Sequence, residues 1–578
     1  MTAGQKRTGS TKISERTNSS GMTVRRRLFS LLLALALLAA LFTGCSGSGS
    51  DTDSGEAQTE ATGDTASQEN GSGETAVELN IIDDNYRNYY EIFVYSFYDS
   101  DGDGIGDLNG VTEKLDYIAD MGFNGIWLMP IMPSPSYHKY DATDYYDIDP
   151  VYGTLEDFEN LVEECHSRGI RLIIDMVINH SSSQHEWFIT ACEYLASLGT
   201  DEEPDVTACP YVEYYHFSRT QESGVWYEIP GATAGAEWYY EGEFSSEMPD
   251  LNLECEALKA ELESIADFWL ELGVDGFRMD AAMHFDETDG ELNRSILNWL
   301  YTYCCETNPD FYMVSEVWAG SSTIESYYLS ETPSFFNFPN SSVDGVIEKT
   351  AMGTATAEKF VTTMLTDQQT YSAVYADYID APFLTNHDQV RVANNLQNNE
   401  SNMKMACGLL MTMNGSPFVY YGEEIGMKSK GQSDENKRIP MYWSDTDTIG
   451  MTVGPENMEQ GITSSFAAVD EQLADETSIL SYYKEALLMR NQNPEIARGE
   501  ITIVEELTAG DTAVILKTWE DSTIAILYNT DTEAVTIDLT GTELESMELQ
   551  NCLTVGEEEI TLTDHTVTMP GQSICVLR

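Results

Sequence analysis

From about Tyr89 the chain alternates between two hydrophobic periods. Short runs of β-branched and aromatic residues are followed by stretches whose apolar residues recur every three or four positions. Glu91 to Phe97 reads as a strand, after which Leu108, Val111, Leu115 and Ile118 fall on one helical face. Gly122 stops that helix, and Phe123 to Met129 forms the next strand. Thr154 opens a helix carrying Phe158, Leu161 and Val162, which Gly169 ends before a strand from Ile170 to Ile178. Leu258, Leu262, Ile265 and Trp269 lead through Gly273 into Val274 to Met279. Further strands are readable at 312–317, 381–385 and 417–421. Strand and helix in regular alternation imply parallel strands joined by crossover helices. The prediction is an α/β fold, a (β/α)8 barrel over 81–180 and 254–497.

Two segments break the pattern. Residues 181–253, after the third strand, are irregular and rich in Tyr, Trp, Glu and Gly, and are read as a small inserted domain. After about Glu500 the period falls to two, with Ile501/Ile503, Val514/Leu516, Ile524/Ile526/Tyr528 and Val535/Ile537/Leu539. That pattern predicts an antiparallel β-sandwich domain over 498–578, with Pro570-Gly571 as a turn.

The first 80 residues have a different character. Arg25-Arg-Arg27 precedes an apolar run from Leu28 to Phe42 that ends at Thr43-Gly44-Cys45. This is the layout of a signal peptide over 1–44. The Gly44-Cys45 junction resembles a bacterial lipobox, with Cys45 the lipidated mature terminus. Residues 45–80 are built from Gly, Ser, Thr, Asp and Glu without Lys or Arg, the composition of a disordered tether. The expected location is the extracellular face of the bacterial cell membrane, lipid-anchored, or secreted. The chain holds 29 Lys and Arg against 98 Asp and Glu, a balance that repels phosphate backbones and anionic lipid and so excludes nucleic-acid partners. Membrane contact is then expected only through the anchor. No metal-type Cys-x-x-Cys pair occurs among the ten cysteines. Most are read as buried thiols, with Cys552 and Cys575 the one candidate bridge.

Candidate chemistry lies in four segments that place charged residues at strand ends: Asp175-Met-Val-Ile-Asn179-His180, Gly276-Phe-Arg278-Met-Asp280-Ala-Ala-Met-His284, Val314-Ser-Glu316-Val-Trp318 and Leu384-Thr-Asn-His387-Asp388. Barrel enzymes carry their reacting groups at the C-terminal ends of strands. Two carboxyls flanking one bond are what glycoside hydrolysis needs. A third nearby would stabilise positive charge on the sugar ring and raise the pKa of a neighbouring acid. Arg278, two residues before Asp280, shares its strand face and can hold that carboxylate ionised. His180 and His387 are read as neutral hydrogen-bonding groups for sugar hydroxyls. Asp99-Ser-Asp101-Gly-Asp103-Gly-Ile105-Gly-Asp107 alternates oxygen ligands with glycines, a pattern that suits a hard cation.

With these motifs, Gly125-Ile-Trp-Leu-Met-Pro130 and Gly415-Ser-Pro-Phe-Val-Tyr-Tyr-Gly-Glu-Glu424, the chain from about Tyr89 onward resembles the α-amylase family, glycoside hydrolase family 13. The resemblance implies that Asp280 is the nucleophile, Glu316 the general acid/base and Asp388 the transition-state stabiliser of a retaining double displacement. It implies sugar binding by Arg278, His180 and His387, with Tyr140 of His138-Lys-Tyr140-Asp141 beneath the sugar, Asp175 orienting Arg278, and His284 lining the next subsite. It also implies a structural Ca2+ in the loop of Asp99, Asp101, Asp103, the Ile105 carbonyl and Asp107. Met248-Pro-Asp-Leu-Asn252 is similar to the segment of an intermediate group that includes bacterial lipoprotein α-amylases. The expected activity is cleavage of internal α-1,4 bonds in starch and maltooligosaccharides by a monomer. An exo-acting α-glucosidase, oligo-1,6-glucosidase or transglycosylase is the alternative within the family, and a non-catalytic carbohydrate-binding lipoprotein the alternative outside it.

Overall fold

The strands that carry the first three segments are neighbours in one parallel sheet, and the fourth segment follows a stave bridged to that sheet. The structure, a computed structural model, describes residues 79–578 apart from 233–236, 460 and 462. The signal peptide, Cys45 and all but the last two residues of the tether lie outside the described residues. In the sheet, Tyr89–Ile92, Gly125–Leu128, Arg171–Met176, Gly276–Met279, Tyr312–Ser315 and Ser334–Phe335 are adjacent in that order, and Phe418–Tyr420 pairs with the first. The remaining gap is closed by parallel bridges from Phe336 to Ala381 and from Phe383 to Phe418. Eight staves therefore complete a barrel.

Helices of the expected period cover the strands, among them Leu155–Ser167 and Glu256–Glu271. The first of these opens on a reciprocal capping box between Thr154 and Asp157, an arrangement that contributes about 1 kcal/mol. Three details differ from the sequence reading. The first strand ends at Ile92, where ladder pairing stops on both sides, and the chain folds into a 3-10 turn at Val94–Ser96. The seventh stave is reduced to two bridges because Pro382 within it has no N–H to give to a ladder. The apolar face from Leu108 to Ile118 is carried by two helices, Leu108–Glu113 and Leu115–Met121.

Between the third and fourth strands lie the helix Glu186–Ser197 and a three-stranded antiparallel sheet of Phe217–Ser218, Tyr239–Glu241 and Trp226–Glu228. A bridge from His180 to Asp250 fastens this insertion beside the third strand end. At the C-terminus a five-stranded antiparallel sheet (Glu500–Ile503, Thr512–Trp519, Ser522–Asn529, Ser573–Leu577, Leu549–Thr554) packs against a three-stranded one (Val535–Asp538, Thr566–Met569, Thr561–Thr563). Period-two alternation divides the larger sheet between two cores. Val514, Leu516 and Leu527 join the interior of the sandwich, whereas Ile515, Ile526 and Ile574 join the core shared with the barrel. Among the described residues no helix is long and apolar enough to cross a membrane.

Candidate active site

The barrel interior is filled by aromatic and aliphatic side chains, chiefly Tyr89, Trp127, Ile173, Tyr312, Phe336 and Phe418. Charge begins one layer nearer the C-terminal rim. Asp175 and Arg278 are register partners on adjacent strands, so their side chains meet on the same face. Arg278 is fully buried, and its guanidinium donates to Asp175 Oδ1 at 2.6 Å, Asp280 Oδ1 at 2.6 Å and Glu316 Oε2 at 2.7 Å. One cation thus holds three carboxylates from three strands. Trp127 Nε1 adds a bond to the second oxygen of Asp175 at 3.1 Å. Burial raises the pKa of Glu316; Arg278 opposes the rise, and Asp280 and Asp388 add to it. The reading of Glu316 as an acid crowded by carboxylates holds in direction, with burial the largest cause. Ala281, directly after Asp280, sits at φ 47° and aims its N–H at Glu316 Oε2, 3.1 Å away. Such a backbone costs a non-glycine residue about 1–2 kcal/mol.

Asp388 is gripped from two sides. Its Oδ2 lies 3.0 Å from His387 Nε2, and its Oδ1 accepts from Arg438 at 2.7 Å. The other ring nitrogen of His387 faces Glu91 Oε1 at 2.5 Å. These two cations hold Asp388 well below the usual carboxylate range against the cost of its burial. For His387, burial opposes the charge, but Asp388 and Glu91 outweigh it and carry the ring up to about 9. Both ring nitrogens of His387 thus face carboxylates, an environment that favours the charged ring over the neutral one expected. The sequence showed the histidine but not the carboxylate that the next strand but one brings to it. Burial lowers the pKa of His180, and its Nε2 lies 3.2 Å from the Tyr140 carbonyl. His138 is likewise lowered, to about 4, by burial.

Asp280, Glu316 and Asp388 open together onto one cavity of about 410 Å3, which His138, Tyr140, His180, His284 and Arg438 also line. The Tyr140 ring stacks on His387, with centroids 5.7 Å apart. His284 bonds Glu287 at 2.5 Å and meets the half-exposed ring of Phe244 edge-on. Trp318, also half exposed, lies flat against Phe338 on the cavity wall. Arg438 and Glu91 were missed in the sequence. Arg438 follows a loop beyond the eighth strand with no motif around it. Glu91 could have been found as the one charged residue in the strand Tyr-Tyr-Glu-Ile.

The acidic loop is only partly as expected. Carboxylate oxygens of Asp99, Asp101 and Asp107 lie within 4.8 Å of one another. Asp103 turns away to accept the Ile105 N–H at 2.8 Å and is not in the group. Gly102 and Gly104, at φ 86° and 96°, provide the left-handed turns of the wrap. At Gly110, where an EF-hand would carry glutamate, a Cβ would fall 2.0 Å from the Tyr98 carbonyl oxygen. None of the three clustered carboxylates has an ion-pair partner among the described residues, so the donor set fits a hard cation of the calcium type.

The family model for the alpha-amylase catalytic domain matches residues 91–499. The chain belongs to the α-amylase family. It is 38% identical to alpha-amylase 3 of Dictyoglomus thermophilum over 453 residues, which cover 77% of this chain and 85% of that protein. Among solved structures, Amy13B of Eubacterium rectale is 42% identical, with a TM-score of 0.83, covering 86% of this chain and 96% of its own. Relatives of other specificity match too. Glucan 1,6-alpha-glucosidase of Streptococcus pneumoniae is 28% identical, covering 84% of this chain and 97% of its own length. The protein is an α-amylase-family glycoside hydrolase.

Proposed function

We propose that this hydrolase cleaves internal α-1,4-glucosidic bonds of starch and maltooligosaccharides with retention of configuration. The observation that carries the reading is the convergence of Asp280, Glu316 and Asp388 on one cavity around Arg278. In the first step Asp280 attacks the anomeric carbon while Glu316 gives its proton to the departing oxygen. The C–O bond breaks and a glycosyl ester forms on Asp280. In the second step Glu316 takes a proton from water, which attacks the same carbon and releases Asp280. A raised pKa suits Glu316 to hold its proton until the first step, and the bond from Arg278 holds the Asp280 carboxylate in place for attack. A single guanidinium can bridge Asp280 and Glu316 only if they lie close together, which favours the short spacing of a retaining pair over the wider gap that admits a water. Asp388, kept ionised by His387 and Arg438, faces the positive charge that develops on the ring.

The α-1,4 assignment is supported by the amylase names of the relatives at 38% and 42% identity. The match to a glucan 1,6-alpha-glucosidase keeps an α-1,6-acting glucosidase as the competing reading. A maltoheptaose blocked at its non-reducing end separates the two: mid-sized fragments support endo cleavage, and an intact chain beside glucose release from isomaltose refutes it. Asp99, Asp101 and Asp107 would hold a structural Ca2+ that ties the loop after the first strand, and Cys45 would hold the enzyme at the outer face of the membrane.

A further inference from the structure

Glu91 is an anomaly in its own strand. Tyr89 and Glu91 alternate with Tyr90 and Ile92, so Glu91 shares the face that Tyr89 turns into the aromatic interior. Glu91 is 1% exposed, and among the described residues its side-chain hydrogen-bond partner is His387. A carboxylate in such a place is costly unless a cation meets it.

His387 is 0% exposed and meets carboxylate oxygen at both ring nitrogens: Glu91 at 2.5 Å on Nδ1 and Asp388 at 3.0 Å on Nε2. A neutral ring has one N–H, so one of these contacts would set a lone pair against a carboxylate. Only the doubly protonated ring satisfies both. This fixes the next bonds. Nε2 also lies 2.8 Å from the Tyr140 hydroxyl, which accepts there and donates to Asp175 Oδ2 at 3.2 Å. The remaining groups near the ring have other duties: Arg278 holds Asp175, Arg438 donates to the His387 carbonyl at 3.3 Å, and Trp127 meets the imidazole edge-on.

We propose that Glu91 is a positioning residue which, from the strand next but one to that of His387, keeps His387 doubly protonated and so keeps Asp388 ionised and the Tyr140 hydroxyl aimed at Asp175. The inference rests on the proposed catalytic role of Asp388. Glu91 touches no substrate; it acts through the imidazolium.

Glu91→Gln keeps an oxygen acceptor for Nδ1 but removes the charge. The His387 proton is then lost at lower pH, and the protonated fraction falls about tenfold per pH unit above the new pKa. The kcat/KM ratio of wild type to variant on maltoheptaose is expected to rise about tenfold between pH 6 and pH 8. A constant ratio, the mark of a merely structural role, overturns the proposal. Titration of Glu316 affects both proteins alike and cancels in the ratio. A second readout does not depend on the variant folding. In wild type labelled with 15N-histidine, with His387 assigned by the signal lost in His387→Gln, the ring should be doubly protonated at pH 7.5. A neutral ring there overturns the proposal. Asp280→Asn is the control for the parent reading. If it keeps wild-type activity, the catalytic assignment fails. If it is inactive while the ratio stays flat, Glu91 alone is refuted.

Discussion

Arg278 is the residue on which both stability and chemistry converge, and Arg278→Met separates the two. The substitution nearly preserves length and removes the charge, leaving Asp175, Asp280 and Glu316 facing one another without their shared partner. Removing one partner from a buried ion pair costs about 3–5 kcal/mol. For some 500 cooperatively folded residues the unfolding entropy is about 1 kcal/mol per kelvin, so the melting temperature should fall by about 3–5 °C. The effect must also depend on pH. Burial already pushes Asp175 up to about 7 and raises Glu316, with Arg278 the largest opposing influence on each. A carboxyl whose folded pKa exceeds its unfolded value costs stability increasingly as pH rises between the two, and no further above the folded value. In the wild type that growth stops near pH 7 at Asp175; without Arg278 it continues to higher pH. The gap in melting temperature should therefore widen above about pH 7, as read by calorimetry at pH 6, 7 and 8.5. The kcat on maltoheptaose should fall by about 10²–10³, the scale of losing one preorganised electrostatic contact. An equal deficit at pH 6 and 8.5 would mean lost packing rather than exposed charge, and would refute the reasoning.

Other expectations are simpler. Glu316→Gln should lower hydrolysis of maltoheptaose by about 10²–10⁴ while sparing the first-turnover burst of fluoride from an α-glycosyl fluoride, whose leaving group needs no proton; loss of that burst to the same extent would remove Glu316 from the acid role. Arg438→Met removes one of the two cations on Asp388, and kcat/KM should fall by about tenfold or more with the loss of a charge-assisted bond; wild-type kinetics would make Arg438 a spectator. Stripping calcium with a chelator should lower the melting temperature, and Asp101→Asn should blunt that response. Asp101 is the clustered carboxylate that is exposed, so its loss leaves the N-cap made by Asp107 intact; no shift on chelation would leave the loop a polar turn.

Much of this site was legible because barrel enzymes put chemistry where strands end, and Asp280, Glu316 and Asp388 each follow an apolar run. The alternation that marked those strands also anticipated the faces of the C-terminal sheet. What the sequence concealed was pairing between residues distant in the chain. Glu91 precedes His387 by 296 positions, and nothing in a linear pattern brings the two together, so the histidine was read as neutral. Arg438 was invisible for the same reason, being delivered by a loop whose course no periodicity describes. In the acidic loop, equal spacing suggested Asp103 as a fourth carboxylate ligand, whereas the clustered oxygens are those of Asp99, Asp101 and Asp107; each of the four also accepts a backbone N–H of the loop.

The account depends most directly on Asp280 and Glu316 acting as a close nucleophile and acid/base pair. The measurement that tests this is the anomeric configuration of the first product, followed by proton NMR in the seconds after enzyme meets maltoheptaose and before mutarotation sets in. The account predicts the α-anomer first, relaxing later to the equilibrium mixture. Initial release of the β-anomer would mean direct attack by water, and would contradict the assignment of Asp280 as nucleophile.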